Sequence, residues 1–597
     1  MSSGSARSGG DTGGLCHCSL SPQTDVMEAV QPPSPPVLCS VLAVRSHSCE
    51  VTLDPGRALL SWREVRARRG RDSGRAGACF TRVLHRAQGL TGTFTHRLYA
   101  GGHIVPVSEI VSVGEAEIDE KYYQGMQWKH MCKPHAFTVH YVQRMKTHRW
   151  RCKAVTFWCS DELLCCHWLQ ALNDLLEQQM WRPKHLLVYI NPYGGKKKGK
   201  QIYEKKVAPL FSLASISTEV IVTEYANHAR ENLYEVNLDK YDGIVCVGGD
   251  GMFSEVLHGL IGRVQKDSDV DHNNPNVPLS RCNLRIGIIP AGSTDCVCYA
   301  TVGISDPVTS ALHIILGDCQ PLDVSAVHHK KMFLKYSVSL LGYGFYGDVL
   351  KGSEKNCWLG PARYNFSGFK TFLSHHYYEG TVSFQPAEWA VGSPRDKTCC
   401  TSGCYICRQS SKQLEEQQRM KTRGLENNEQ EDWTTIKGKF MAINAANMSC
   451  ACPRSPRGLS PAAHLADGTA DLILVRKCSR LDFLRHLIRH TTSNSDQFDF
   501  PFVDVYRIKS FQFTPKHFEE EDAESADLGN VGKKNFAQIC TDHPSCGCNQ
   551  LNSVWNCDGE TLEQTAIEMR VHCQLIKLFA RGIEESQKED DKNPSRV

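Results

Sequence analysis

YDGIVCVGGDG, residues 241–251, decides the fold. Its first seven residues are a near-continuous apolar run, the pattern of a strand covered on both faces in a parallel sheet. The next four, Gly248-Gly249-Asp250-Gly251, make a turn. Val256, Leu257, Leu260 and Ile261 then set out the apolar side of a helix. The same arrangement occurs twice more. HLLVYI (185–190) runs into Asn191-Pro192-Tyr193-Gly194-Gly195, and LRIGIIP (284–290) into Ala291-Gly292-Ser293-Thr294-Asp295. Helical patterns lie between the runs, so residues 183–320 read as an α/β layered, Rossmann-like domain.

In such a domain ligands sit at the carboxyl ends of the strands, where backbone N–H groups at helix N-termini attract phosphate. A lone GGDG is also ordinary turn punctuation. Three glycine turns in order, each directly after a strand, point instead to a nucleotide. The first turn nearly imitates a P-loop, with Gly194, four residues, Gly199 and Lys200, and with Lys196, Lys197 and Lys198 adding charge. The next residue is Gln201, where a P-loop carries Ser or Thr to hold magnesium, which argues against a P-loop NTPase.

Outward from this centre the chain changes character. Residues 1–36 are rich in Gly, Ser and Pro and read as disordered. Short apolar-polar runs over 37–62, 104–118 and 135–159 read as strands, with an insertion over 63–100. Ser160-Asp161-Glu162 opens a helix whose Leu164, Trp168, Leu172 and Leu175 form one stripe, which completes a unit over 37–180. From 321 to 585 the runs KYSVSLLGYG, GTVSFQP, GKFMAINA, ADLILVRK, VYRIKSFQF and MRVHCQLIKLF look antiparallel and predict a β-sandwich-like second domain. A polar, Cys- and Glu-rich surface insertion interrupts it over 388–435, and 586–597 is a charged tail.

Bulk properties bound the function. The chain has 597 residues, 41% hydrophobic, and a net charge of only +3, so charge makes no case for nucleic acid. No apolar run approaches the roughly 18 residues of a spanning helix. The N-terminus lacks the apolar core of a secretory signal. The expectation is a cytoplasmic protein whose 28 cysteines are reduced thiols or metal ligands.

The motifs NPYGG, VTE (222–224), GGDG and AGSTD resemble the diacylglycerol-kinase-type catalytic domain shared by diacylglycerol, sphingosine and ceramide kinases. The strands and helix of 37–180 resemble a pleckstrin-homology domain, with Arg144, Lys146, His148, Arg149, Arg151 and Lys153 as a basic face for a phosphoinositide headgroup or as a solvated strand edge. That combination, with LLGYGFYGD (340–348), NMSCACPRSPRGLSPAAHL (447–465) and Cys400-x3-Cys404-x2-Cys407, is similar to the ceramide branch. The resemblance covers about 37–62 and 101–585.

It implies an ATP-dependent transfer of phosphate to the primary hydroxyl of ceramide, with Asp250 as general base and magnesium bridging the phosphates. Nucleotide contacts are implied at Asn191, Pro192, Tyr193, Gly194 and Gly195. They are also implied at Thr223, Glu224, Tyr225, Ala226 and Asn227, and at Glu255, Gly292, Ser293, Thr294 and Arg363. Asp558, Gly559 and Glu560 would bring the chain back to the cleft near its end. Gly248, Gly249, Asp250, Gly251 and Asp348 fall on the substrate side. A second arginine expected shortly before Arg363 is absent, Cys357 standing there, and Met252 replaces the Thr that often follows GGDG. The resemblance also implies a peripheral membrane address at the Golgi and plasma membrane, and calcium as a regulator. Sphingosine or diacylglycerol as substrate, and an inactive lipid-binding adaptor, are the competing readings.

Two features stay open between functional and structural readings. RLDFLRHLIRH (480–490) is a basic amphipathic helix, a candidate for calmodulin or a membrane surface, or a cover for the β-domain. Cys399, Cys400, Cys404 and Cys407, and separately Cys540, Cys546 and Cys548 with His543, are zinc ligands or reduced thiols. Their loose spacing assigns no metal on sequence alone. In the resembled enzymes the CxxxCxxC run is needed for activity. The pairs His328-His329 and His375-His376 diverge as neighbours and do not suit one metal.

Overall fold

The computed structural model describes residues 36–45, 47–65, 102–116, 135–195, 197–360, 362–387, 392–422, 432–490, 496–516 and 552–585. The expected disordered N-terminus, almost all of the 63–100 insertion, the charged tail, Lys196 and the cluster of Cys540, His543, Cys546 and Cys548 lie outside them.

Among the described residues, seven strands come first: β1 (Leu38–Val44), β2 (His47–Asp54), β3 (Leu59–Glu64), β4 (Gly102–Pro106), β5 (Ile110–Glu115), β6 (His135–Arg144) and β7 (Trp150–Cys159). They form one antiparallel sheet in the order β4-β3-β2-β1-β7-β6-β5. Helix α1 (Glu162–Glu177) packs on it. Asp161 caps α1 by accepting from the Leu164 N–H at 2.8 Å. Trp168 and Leu172 of the expected stripe are fully buried, with Leu164 and Leu175 against the same core.

The next sheet is parallel. Strands β8 (His185–Ile190), β9 (Ser217–Val222), β10 (Gly243–Gly248) and β11 (Arg285–Pro290) lie in the order β9-β8-β10-β11. Apart from His185 at its start, β8 is buried throughout, as is all of β10, which is why both read as unbroken apolar runs. The chain steps from β8 outward to β9, then back across to β10. That reversal is the switch point where an α/β sheet opens a crevice for ligand. A helical run over 199–213 crosses from β8 to β9, and helices α2 (His228–Glu235), α3 (Asp250–Asp267), α4 (Cys296–Val302) and α5 (Pro307–Leu316) complete this part.

Ten strands follow among the described residues: β12 (Gln320–His329), β13 (Met332–Ser337), β14 (Leu340–Gly344), β15 (Tyr378–Pro386), β16 (Thr434–Ala446), β17 (Ala470–Arg476), β18 (Val503–Pro515), β19 (Trp555–Cys557), β20 (Glu560–Leu562) and β21 (Ile567–Leu578). β16 pairs with β15 over its first half and with β17 over its second, and β18 does the reverse. Two long strands shared in this way bend between layers, as in a sandwich. β21 runs antiparallel to β12 and β18, and its last residues, Lys577 and Leu578, pair in parallel with Arg285 and Ile286 of β11. One strand therefore joins both parts into a single sheet. Helices α6 (Phe345–Glu354), α7 (Ala362–Ser374), α8 (Tyr405–Thr422) and α9 (Arg480–Arg489) lie around it.

Two expectations need correction. KYSVSLLGYG is two strands, not one, because the buried carboxylate of Asp558 takes the N–H groups of Val338, Ser339 and Leu340 at 2.7–3.0 Å and bends the chain there. The 388–435 segment is more than a surface excursion. It carries α8, and Ser411 of α8 bonds Gln574 of β21.

The β6–β7 hairpin docks the N-terminal sheet onto the α/β part. Trp150 N–H donates to Thr309 Oγ1 at 3.0 Å, and its ring lies 3.9 Å from that of His313. Arg144 pairs with Glu109 at 2.6 Å and Glu584 at 3.0 Å, and Arg151 with Asp306 at 2.9 Å. His148 packs beneath Gly303. Half of the basic set read as a headgroup face is thus turned toward the protein, while Lys146, Arg149 and Lys153 are exposed.

Candidate active site

The three glycine turns close on one another at the carboxyl ends of β8, β10 and β11. A Cβ on Gly195 would lie 2.5 Å from the Ala291 carbonyl oxygen, and one on Gly249 would lie 3.0 Å from Gly292 Cα. Only glycine permits backbones this near each other, and Gly195 also takes a positive φ of 56°. Asn191 fixes the first turn, its Oδ1 accepting from the N–H groups of Tyr193 at 2.8 Å and Gly194 at 3.0 Å. Pro192 completes this turn, and the Tyr193 ring projects into solvent. Lys200, the lysine of the P-loop imitation, faces Glu204 at 3.9 Å.

Asp250 is the first residue of α3, and its carboxylate reaches across to α4. Oδ2 accepts from Cys296 N–H and Oδ1 from Val297 N–H, both at 3.1 Å. The side chain is thereby oriented by two fixed donors at a helix start. Asp295, which sequence reasoning did not assign, stands beside it. Its Oδ1 accepts from Gly292 N–H at 2.9 Å, and its φ is 52°, an uncommon conformation for a residue with a Cβ. Burial, with help from the charge of Asp250, pushes Asp295 up to about 6. Its signal in the sequence was its place as the last residue of AGSTD. Ser293 and Thr294 are exposed on the same turn.

Glu255 lies farther along α3 and faces the backbone of Asn227 and Ala229 in the turn after β9, which favours its charged form. Burial raises its pKa, and its Oε2 is buried without a hydrogen-bond partner. In that turn Thr223 is buried and donates to Ile190 O, Glu224 N–H donates to His228, and Asn227 is left-handed at φ 68°. Tyr225, next to Ala226, stacks on His228 with centroids 4.7 Å apart.

The late residues do return to this region. Glu560 pairs with Lys335 and acts electrostatically on Glu255. Asp558 is spent on the β13–β14 bend, where burial raises its pKa, and Gly559 (φ 90°) makes the turn between β19 and β20. Ser339 in that bend lies 3.9 Å from Cys296 Sγ, so Asp558 shapes the wall next to Asp250. Asp348 sits apart, on α6, accepting from Tyr378 OH at 2.5 Å and Ser553 Oγ at 2.6 Å; burial raises its pKa. Arg363 is in the first turn of α7 and lies over the Tyr364 ring at 4.8 Å.

α7 packs on α6 through Ser367, whose Oγ donates to Val349 O, and its other side exposes Phe366, Phe369 and Leu373. α9 lies alongside, with Phe372 stacked on Phe483. Phe483 and His486 are buried, so α9 does cover the β-domain, but Leu481, Leu484 and Ile488 are exposed. His328 and His329 point to different acceptors, His272 O and Ala566 O, as expected of neighbours in a strand. No described helix is long and apolar enough to cross a membrane.

Comparison with known proteins matches this arrangement segment by segment. The family model for the ceramide kinase PH domain matches residues 38–172, that for the diacylglycerol kinase catalytic domain 185–327, and that for the ceramide kinase C-terminal domain 339–593. Ceramide kinase of Homo sapiens is 60% identical over 554 residues, spanning 93% of this chain and 98% of that one. The Mus musculus enzyme is 58% identical, over 92% and 98%. Ceramide kinase of Arabidopsis thaliana is 33% identical, over 75% of this chain and 81% of its own. By its three matched segments and this extent of identity, the chain belongs to the ceramide kinase family.

Proposed function

We propose that this chain transfers the γ-phosphoryl group of ATP to the primary hydroxyl of ceramide, giving ceramide 1-phosphate and ADP. The observation that carries the reading is Asp250, held by two backbone donors where three glycine turns meet. Asp250 accepts the hydroxyl proton as the oxygen attacks phosphorus in line. The bond from phosphorus to the β-γ bridging oxygen breaks, and the electron pair leaves with ADP. Positioning and charge neutralisation supply most of the acceleration.

The turns at 191–195, 248–251 and 292–294 supply N–H groups for the phosphates. Thr223–Asn227 and Glu255 border the nucleotide, with Tyr225 on His228 as a flat surface. Magnesium, when bound, neutralises phosphate charge. Asp295 beside Asp250 offers the hard oxygen ligands it takes. Asp348 and its hydroxyl partners would receive a polar group of the lipid, with Arg363 toward the nucleotide.

Work at a membrane surface is supported by the outward apolar residues of α7 and α9, which adjoin the helix carrying Asp348. Lys146, Arg149 and Lys153 would add phosphoinositide contacts. The basic outer face of α9 supports regulation by calcium through calmodulin. The Golgi and plasma membrane are the proposed addresses.

The test gives purified protein ATP and magnesium with ceramide, sphingosine or diacylglycerol in mixed micelles. Ceramide 1-phosphate is the expected product. Preference for another lipid would reassign the substrate, and ATP-independent lipid binding without turnover would make the chain an adaptor.

A further inference from the structure

Cys400, Cys404 and Cys407, on the approach to α8 and its first turn, meet His464 from the connection between β16 and β17. One ligand atom from each residue lies within 4.8 Å of all the others. Cys400 Sγ and Cys407 Sγ are 3.7 Å apart, and Cys404 Sγ is 3.4 Å from His464 Nδ1. Tetrahedral zinc holds sulfur at about 2.3 Å and nitrogen at about 2.0–2.1 Å. Those radii place neighbouring sulfurs about 3.8 Å apart, and sulfur and nitrogen about 3.6 Å apart. Both observed edges agree to within a few tenths of an ångström. A disulfide requires about 2.05 Å, so these are separate thiols.

A second observation points the same way. His464 is 1% exposed, and its Nε2 is buried with no hydrogen-bond partner, as is Oδ2 of Asp467. Histidines that bind metal through one ring nitrogen usually donate the other N–H to a carboxylate or carbonyl. Asp467 is within electrostatic reach of the ring.

We propose that Cys400, Cys404, Cys407 and His464 form a Cys3His zinc site. Four protein ligands leave no open position, so the ion is structural and not a second catalytic centre. It ties the inserted segment to the β16–β17 connection. The same connection carries Cys450, whose Sγ donates to Ser339 O at 3.3 Å, in the bend that Asp558 holds beside Cys296. The zinc thus anchors one end of a loop whose other end forms active-site wall.

The test uses the full chain, purified without chelator and exchanged into metal-free buffer. Mass spectrometry for metals should find about one zinc per chain, and zinc-edge X-ray absorption should find three sulfurs at about 2.3 Å and one nitrogen at about 2.0–2.1 Å. His464→Gln and Cys404→Ser should lose the zinc, whereas His464→Cys should keep it as a four-sulfur site. Cobalt exchanged into the unmutated chain should give a thiolate-to-cobalt charge-transfer band. To separate metal loss from misfolding, zinc is withdrawn from the unmutated chain by a chelator. Three thiols should become reactive per zinc released, and added zinc should protect them again. Wild-type protein that contains no zinc and takes up neither zinc nor cobalt overturns the proposal. So does a Cys400–Cys407 disulfide in protein purified under reducing conditions, or full zinc content in folded His464→Gln.

Discussion

Replacing Gly292 by alanine would set a Cβ 2.5 Å from Gly249 Cα and 2.6 Å from Asp295 Oδ1. The first approach is about 1 Å inside the roughly 3.5 Å at which carbon atoms make favourable contact. Neither neighbour yields easily. Gly249 is main chain at the start of α3, and Asp295 Oδ1 is bound to the N–H of Gly292 itself. Gly292 is not among the glycines with positive φ, so the effect is steric and not conformational. The second and third turns must therefore separate by about 1 Å, a displacement that costs on the order of 100-fold when it misplaces reacting groups. Overpacking at the contact adds about 1–3 kcal/mol of destabilisation. The assay is kcat/KM for ceramide at saturating ATP, beside urea unfolding of the same preparation. Gly251→Ala is the control. Its Cβ meets nothing within 4 Å, and alanine in the first turn of α3 favours the helix, so stability should hold or rise. A folded Gly292→Ala protein with unchanged kcat/KM would refute the idea that contact between these turns sets the catalytic geometry.

Asp250→Asn should lower turnover by about 100- to 10,000-fold, the usual worth of a general base, with an unchanged circular dichroism spectrum; near-normal activity would remove Asp250 from that role. Asp558→Ala leaves the N–H groups of Val338, Ser339 and Leu340 without their acceptor, at about 1–3 kcal/mol for each one left buried, which urea unfolding measures. Asp295 is raised from 3.8 to about 6, so the folded chain holds a proton that the unfolded chain releases between those values. Its contribution to stability is therefore lost as pH rises through about 6, and at neutral pH the carboxylate is charged and free to bind metal. The magnesium concentration for half-maximal activity should climb below about pH 6, and Asp295→Asn, which mimics the protonated acid, should raise that concentration at neutral pH and remove its change with pH. A magnesium requirement that does not change between pH 7 and pH 5 would contradict this.

Much of the architecture was legible because it rests on local pattern. β8 and β10 are buried on both faces, so their apolar runs announce a parallel sheet, and glycine turns announce close backbone approach. Helix α1 could be read from Asp161 and its stripe, because capping and 3.6-residue periodicity are properties of neighbours in sequence. The same patterns placed Asp250 on a strand-to-helix turn.

What tertiary structure decided is which distant residues meet. The break in KYSVSLLGYG depends on Asp558, more than two hundred residues later, and no local propensity encodes that acceptor. Arg144 and Arg151 looked like a free basic edge until folding brought Glu584 and Asp306 against them. Three cysteines at loose spacing were ambiguous as ligands because the fourth group, His464, comes from another segment. Asp295 was visible as a letter in a motif, but its pairing with Asp250 arises only where β10 and β11 run side by side. Sequence by itself determined most of the elements and the glycine turns, since both follow from burial and backbone freedom at contiguous residues. The wall beside Asp250, the docking of the N-terminal sheet and the thiol–imidazole cluster required the fold, since charge and hydrogen bonding act across space.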